Sequence, residues 1–268
     1  MRASALVIHF SPSLQRIEPM NRETENLIKA AYAEVACTYR RDDELDAAGM
    51  DHRRVAEHLA ALSTSFNRPI TALDVGCGTG RYFHCLKNTR RLVALDVSPE
   101  MLKEARHPLK ETEVSIDAIE LLCGNVHSQA FPPGSFDLIY SIGVFGNGCE
   151  INRELLFKFH VWLTPGGCVF FDVFDSSELT LLFRIREKVT NYLQQHVGLN
   201  VWKILRRRSG ESLPFYDYSS AEMVVLLQSC GFFPVAVSPQ ECQTPLGPGR
   251  KLQCLGSKSN QTNPKPAR

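Results

Sequence analysis

The chain has 268 residues, 30 Lys+Arg against 29 Asp+Glu, and 44% hydrophobic residues. That length suits one large α/β domain and the apolar fraction supports a real core, which excludes wholesale disorder. A net charge near zero excludes a generally basic nucleic-acid binder and an acidic solvating tail.

No stretch approaches the ~18–20 uncharged apolar residues that a membrane helix needs. The apolar run near the N-terminus is too short for a signal-peptide core. The nine cysteines include no CxxC pair and no Cys/His spacing suited to zinc. These features predict a cytoplasmic protein with reduced thiols and no metal.

In chain order, residues 1–20 read as a weakly ordered leader, followed by helices over about Glu23–Tyr39 and Asp51–Ser63. Asn67-Arg68-Pro69 punctuates the change to a strand, ITALDVG. RYFHCLKN is predicted as a helix and RLVALDV as the second strand. Ser98-Pro99 supplies an N-cap and first-turn proline for a helix to about Arg106. IELLC and FDLIYS are the third and fourth strands. Ile151, Leu155, Leu156, Phe159, Trp162 and Leu163 recur at helical spacing until Thr164-Pro165-Gly166-Gly167, and CVFFDVF is the fifth strand. Strands alternating with helices predict a doubly wound, mostly parallel sheet. Residues 175–213 break the rhythm as a helical insert carrying an Arg206–Arg208 cluster. Ser219 caps a further helix, FFPVAVS and KLQCLGS are predicted as adjacent antiparallel edge strands, and 258–268 reads as a disordered tail.

Two motifs carry chemistry. LDVGCGTG, Leu73–Gly80, lies at a strand end, where open α/β sheets bind ligands. Its glycines let backbone approach a ligand, and the helix expected next would offer free N–H groups to an anion. The dinucleotide pattern G-x-G-x-x-G would want glycine where Arg81 stands. Asp96, ending LVALD, can accept from both hydroxyls of a ribose.

A third segment, GNVHSQAFPPGSFDLIYS, makes a family resemblance plain. The chain resembles the class I S-adenosylmethionine-dependent methyltransferases. Gly124, Phe131, Gly134, Ser135, Phe136 and Asp137 keep step with the family's G-D-A-x-x-L-P-F-x-D-G-S-F-D, with Asn125 in place of Asp. LTPGGCVFFDV resembles its turn into strand five, and AYAEVACTYRRDDEL its N-terminal segment over the cofactor. The resemblance covers about residues 27–256. It implies a seven-stranded Rossmann-like sheet with N-terminal helices and a helical cap, in a methyltransferase domain spanning 21–257.

The resemblance also implies roles. Gly76, Cys77, Gly78 and Gly80 would cradle the methionine end of S-adenosylmethionine, with Asp74 near its amino group. Tyr39 and Arg40 would close over its carboxylate. Asp96 and Val97 would hold the ribose, and Met101, Asn125 and Val126 the adenine. Ser141 and Ile142 would flank the reacting centre. Asn147, Tyr216 and Tyr218 are weaker candidates for the acceptor. Many relatives carry a His pair after strand four; here Gly146 and Asn147 stand there, so that loop supplies no general base. His84 and Asp137 read as structural, His160 as facing core or solvent, and His127 as lying beside the adenine-binding turn near the rim, none of them favoured as a base. The function expected is methyl transfer to a small-molecule acceptor, mainly by proximity and orientation. A nicotinamide oxidoreductase, a non-catalytic cofactor-binding relative and an RNA methyltransferase remain alternatives. A peripheral membrane or a carrier protein remains a possible partner for the basic insert.

Overall fold

Leu73 and Val75 point to one side of the central strand, and Ile70 and Ala72 to the other. This is the alternation of a strand covered on both faces. In the computed structural model, the described residues are 22–46, 49–146, 148–176, 216–244 and 247–260. Helices α1 (Arg22–Asp46) and α2 (Met50–Thr64) precede β1 (Ile70–Val75), β2 (Thr89–Asp96), α3 (Pro99–Ala105), β3 (Ala118–Cys123) and β4 (Phe136–Ser141). Then come α4 (Arg153–Trp162), β5 (Leu163–Asp175), β6 (Asp217–Tyr218), α5 (Ser220–Ser229), β7 (Phe232–Thr244) and β8 (Gly247–Lys258).

The sheet order is β3-β2-β1-β4-β5-β8-β7, with the two-residue β6 beside β5. β1 to β5 are parallel. β8 runs antiparallel between β5 and β7. The expected fold is therefore present, with β6 as an addition. The edge pair was legible, but the last strand inserts between its partner and β5. The chain winds outward from β1 to β3 and then returns to place β4 on the other side of β1. This reversal opens a crevice at the carboxyl ends of β1 and β4.

Two apolar layers hold the sheet. Val93, Leu95, Ile139, Val169 and Phe171 face Leu155, Phe159, Trp162 and Leu227 of α4 and α5. Leu92, Ala94, Leu138, Tyr140 and Phe170 face Val55 and Leu59 of α2 and Leu102 of α3. Local signals start the helices, and those at Ser98 and Ser219 fall where expected. Ser98 accepts from Met101 N–H at the start of α3, Asn152 from Leu155 N–H at α4, and Ser219 forms a capping box with Glu222 at α5.

At the sheet end away from the crevice, Asp137 behaves as the structural residue it was read to be. It takes both arms of Arg68 at 2.6 and 3.1 Å, Thr71 N–H at 2.9 Å and the Thr164 hydroxyl at 2.8 Å. Burial pushes its carboxyl upward, but Arg68 and these donors outweigh it and leave the pKa low.

Three expectations change. The helix predicted over 81–88 is a single 3-10 turn at Phe83–Cys85. Few residues remain between the glycine turn and Thr89, and Asn88 adopts a left-handed φ of 50° that ends any helix there. α1 runs on to Asp46, past the expected Tyr39. β8 reaches Lys258, one residue past the expected domain end, and its ammonium is bound to the carbonyls of His160 and Leu163. The leader, the insert beyond residue 176 with Arg206–Arg208, and the tail from 261 lie outside the described residues.

Candidate functional site

The glycine turn leaves β1 with φ of +73° at Gly76 and +52° at Gly78, values that side-chain-bearing residues rarely adopt. A Cβ at Gly76 would overlap Val144 from the loop after β4. A Cβ at Gly78 would meet nothing within 4 Å, so bare backbone faces open space there. Asp96, at the end of β2, grips this turn. Its Oδ2 accepts from Gly78 N–H and its Oδ1 from Ser98 N–H, both at 2.9 Å. Each oxygen keeps a lone pair for a further donor. Burial raises the Asp96 pKa, while the N–H groups of Ser98, Gly78 and Val97 oppose the rise.

Asp74 lies one residue inside β1 and is buried. Desolvation pushes its carboxyl up to about 8; the Tyr140 hydroxyl opposes this, and the charge of Asp96 adds to it. An unfolded Asp ionises near pH 3.9. Between those values the folded chain holds a proton that the unfolded chain has lost. The contribution is therefore complete below the unfolded pKa and fades as pH climbs through about 8. Asp74→Asn is expected to gain stability on the wild type as pH rises from 5 to 8.5 in urea unfolding. A pH-independent difference would show that Asp74 is ionised throughout.

α1 closes one wall. Arg40 donates to the Thr79 carbonyl at 3.4 Å and pairs with Glu44 at 3.1 Å. The buried Asp43 accepts from the Thr79 hydroxyl and, at 3.0 Å, from Arg81. Arg81 also donates to His52 Nδ1 of α2 at 3.0 Å. The residue that breaks the dinucleotide pattern thus locks both N-terminal helices to the glycine turn. Tyr39 is 41% exposed, and its ring meets Tyr32 edge-on. Local burial and the Asp43 charge raise its pKa.

At the far end of the crevice, Met101 and Val126 are buried and Val97 is half-buried. Asn125 uses its side-chain oxygen on His127 N–H and its NH2 on Glu25 of α1, each at 3.0 Å. Glu25 also pairs with Lys29 at 2.6 Å. Ser141 ends β4 by donating to the Val75 carbonyl at 2.8 Å, with half-buried Ile142 next to it.

Past β4, Gly143 N–H donates to Asp172 Oδ1 at 2.6 Å, and Lys251 of β8 bonds Oδ2 at 2.9 Å. Burial works against the Lys251 ammonium, but Asp172 outweighs it and raises the pKa. Tyr216 N–H bonds the Gly146 carbonyl at 2.9 Å. The Tyr218 hydroxyl accepts from Ile151 N–H and donates to the Ile151 carbonyl, so it braces that loop. Asn147 lies outside the described residues. His127 packs against Cys149, and His160 against Gly231 and Phe232. Burial lowers the pKa of both, with Lys158 and Lys258 adding, which favours the neutral ring.

Sequence reading missed Glu25, Asp43, His52, Asp172 and Lys251, which partner the motif only in three dimensions. Spacing also hid a second grouping: His52, His84 and Cys85 bring possible ligand atoms within 4.8 Å. The two imidazoles are stacked, Arg81 occupies His52, and Lys110 and Lys87 lie near His84, surroundings that disfavour a cation.

Residues 72–167 match the methyltransferase domain family. The chain is 28% identical to a ubiquinone/menaquinone biosynthesis C-methyltransferase (UbiE) of Methylobacterium nodulans over 66% of this chain and 70% of that protein. It is also 28% identical to a malonyl-[acyl-carrier protein] O-methyltransferase of Priestia megaterium, over 52% of this chain. There the match spans about half of the relative, 48% of its length. In fold, the chain is similar to magnesium protoporphyrin IX methyltransferase of Synechocystis PCC 6803, solved with bound SAH. The TM-score is 0.57 at 14% identity, covering 88% of this chain and 100% of that one.

Proposed function

Because the chain belongs to the class I S-adenosylmethionine-dependent methyltransferases, we propose that it moves a methyl group from that donor to a small organic acceptor. The observation that carries this reading is the meeting of Asp96 with the open Gly78 turn beside the β1/β4 crevice. The residues fit the donor. Asp96 has lone pairs to spare for a ribose diol, with Val97 alongside. Met101 and Val126 offer apolar surface to adenine beside Asn125. Gly76, Cys77, Gly78 and Gly80 leave backbone accessible to the amino-acid end. Asp74 would approach that end, and Tyr39 and Arg40 would cover it from α1. Ser141 and Ile142 would border the methyl group.

The bound donor would supply an electrophilic methyl on a sulfonium with a neutral leaving group, so the chain's task is chiefly to position and to exclude water. The acceptor side agrees with this. Asp172 is engaged by Gly143 and Lys251, and His127 packs against Cys149. An acceptor atom that is already nucleophilic needs no base. The relatives named above suggest an acceptor that is free or borne on a carrier. No helix among the described residues is long and apolar enough to cross a membrane.

The test is incubation of the purified chain and methyl-labelled donor with extract of its source cells, followed by mass analysis. A labelled small molecule together with S-adenosylhomocysteine is the expected result. Tight donor binding with no labelled product would make the chain a non-catalytic relative. Label in RNA would move the acceptor class.

A further inference from the structure

We propose that Lys251 of β8 recognises a carboxylate on the methyl acceptor, so that the chain acts on small molecules bearing a carboxylic acid. This inference rests on the functional reading above and names its acceptor class. Lys251 pairs with Phe174 near the carboxyl end of β5, which puts it at the same end of the sheet as the crevice. Two segments that touch the glycine turn also reach Lys251 or its partner. The loop after β4 packs Val144 on Gly76 and donates Gly143 N–H to Asp172, whose other oxygen takes the Lys251 ammonium at 2.9 Å. α1 sends Arg40 to the Thr79 carbonyl, and the adjacent Tyr39 is close enough to Lys251 and Asp172 for their charges to bear on its hydroxyl.

The ammonium is equipped for an anion. The Lys251 side chain is 25% exposed, whereas that of Asp172 is 7% exposed. An ammonium has three N–H donors, and among the described residues Asp172 takes one of them. Nζ lies 5.6 Å from the centre of the Phe174 ring, an apolar flank that screens the charge from water and strengthens its pull on an anion. Asp172 does not depend on Lys251 alone, because Gly143 N–H holds its Oδ1 at 2.6 Å. One cation shared with one carboxylate suits an acceptor group with a single negative charge. A phosphate, with nearly two charges at neutral pH, would be set against Asp172. The neighbouring cation, Arg250, is engaged with Asp175 at 3.8 Å.

The test uses the full chain and methyl-labelled donor with source-cell extract split by anion exchange at neutral pH. Wild type is expected to label a compound from the retained fraction, and mass analysis to show a carboxylate on its unmethylated parent. With that parent as substrate, Lys251→Gln is expected to raise KM roughly tenfold or more while kcat falls much less, and Lys251→Arg to recover most of the loss. Affinity for S-adenosylhomocysteine should stay within about twofold of wild type in both variants. A merely structural role would instead move donor affinity and kcat together with KM. Should Lys251→Gln not fold, the double variant with Asp172→Asn, which leaves no unpaired carboxylate, gives the same readout. A labelled acceptor without a carboxylate, or a KM unchanged in Lys251→Gln, overturns the proposal and leaves the functional reading intact. No labelled product from either fraction with wild type overturns the functional reading, and the inference falls with it.

Discussion

Asp96→Ala is expected to weaken binding of S-adenosylhomocysteine by about 3–5 kcal/mol, roughly a hundredfold to several-thousandfold. Two losses add. The ribose diol loses a charged acceptor for both hydroxyls. The glycine turn also loses its clamp, because Gly78 N–H and Ser98 N–H are held at 2.9 Å by the same carboxylate. Asp96→Asn separates the two. It keeps an oxygen for one N–H but replaces the other with a donor, so its loss should be smaller than that of Ala yet still large. Calorimetric titration checks both variants. Affinity unchanged in Asp96→Ala would place the ribose elsewhere.

Phe145→Ala is expected to cost about 3–5 kcal/mol of folding stability. Phe145 is 2% exposed and packs at ring-centroid distances of 5.7 Å on Phe171 of β5 and 6.5 Å on Phe159 of α4. It pins the loop after β4, whose Val144 covers Gly76 and whose Gly143 meets Asp172. The variant should unfold at lower urea, and what remains folded should bind donor less well, because the loop that walls the crevice has lost its anchor. A loss below about 1 kcal/mol would mean the neighbouring rings close the gap.

The sheet and its crevice were legible because they depend on short-range patterns. β1, β2, β4 and β5 each read as an apolar run, and Ser98, Asn125 and Asp96 stand at the turns their side chains stabilise. The partners were not legible. Asp43 meets Thr79 across 36 residues of chain, and Asn125 meets Glu25 across 100. Nothing in local spacing encodes such pairs. Arg81 shows the difference most clearly. From the sequence it was an obstacle to one motif; in the fold it joins α1 and α2 to the glycine turn. The helix expected after that turn failed for a local reason, too few residues before Thr89, so no helix N-terminus stands there to meet an anion.

The most direct measurement is calorimetry of the purified, folded chain with S-adenosylhomocysteine. Saturable one-to-one binding that Asp96→Ala abolishes or cripples is the predicted result. Absence of heat and of any ligand-induced rise in melting temperature would contradict the assignment of the β1/β4 crevice to a methyl donor.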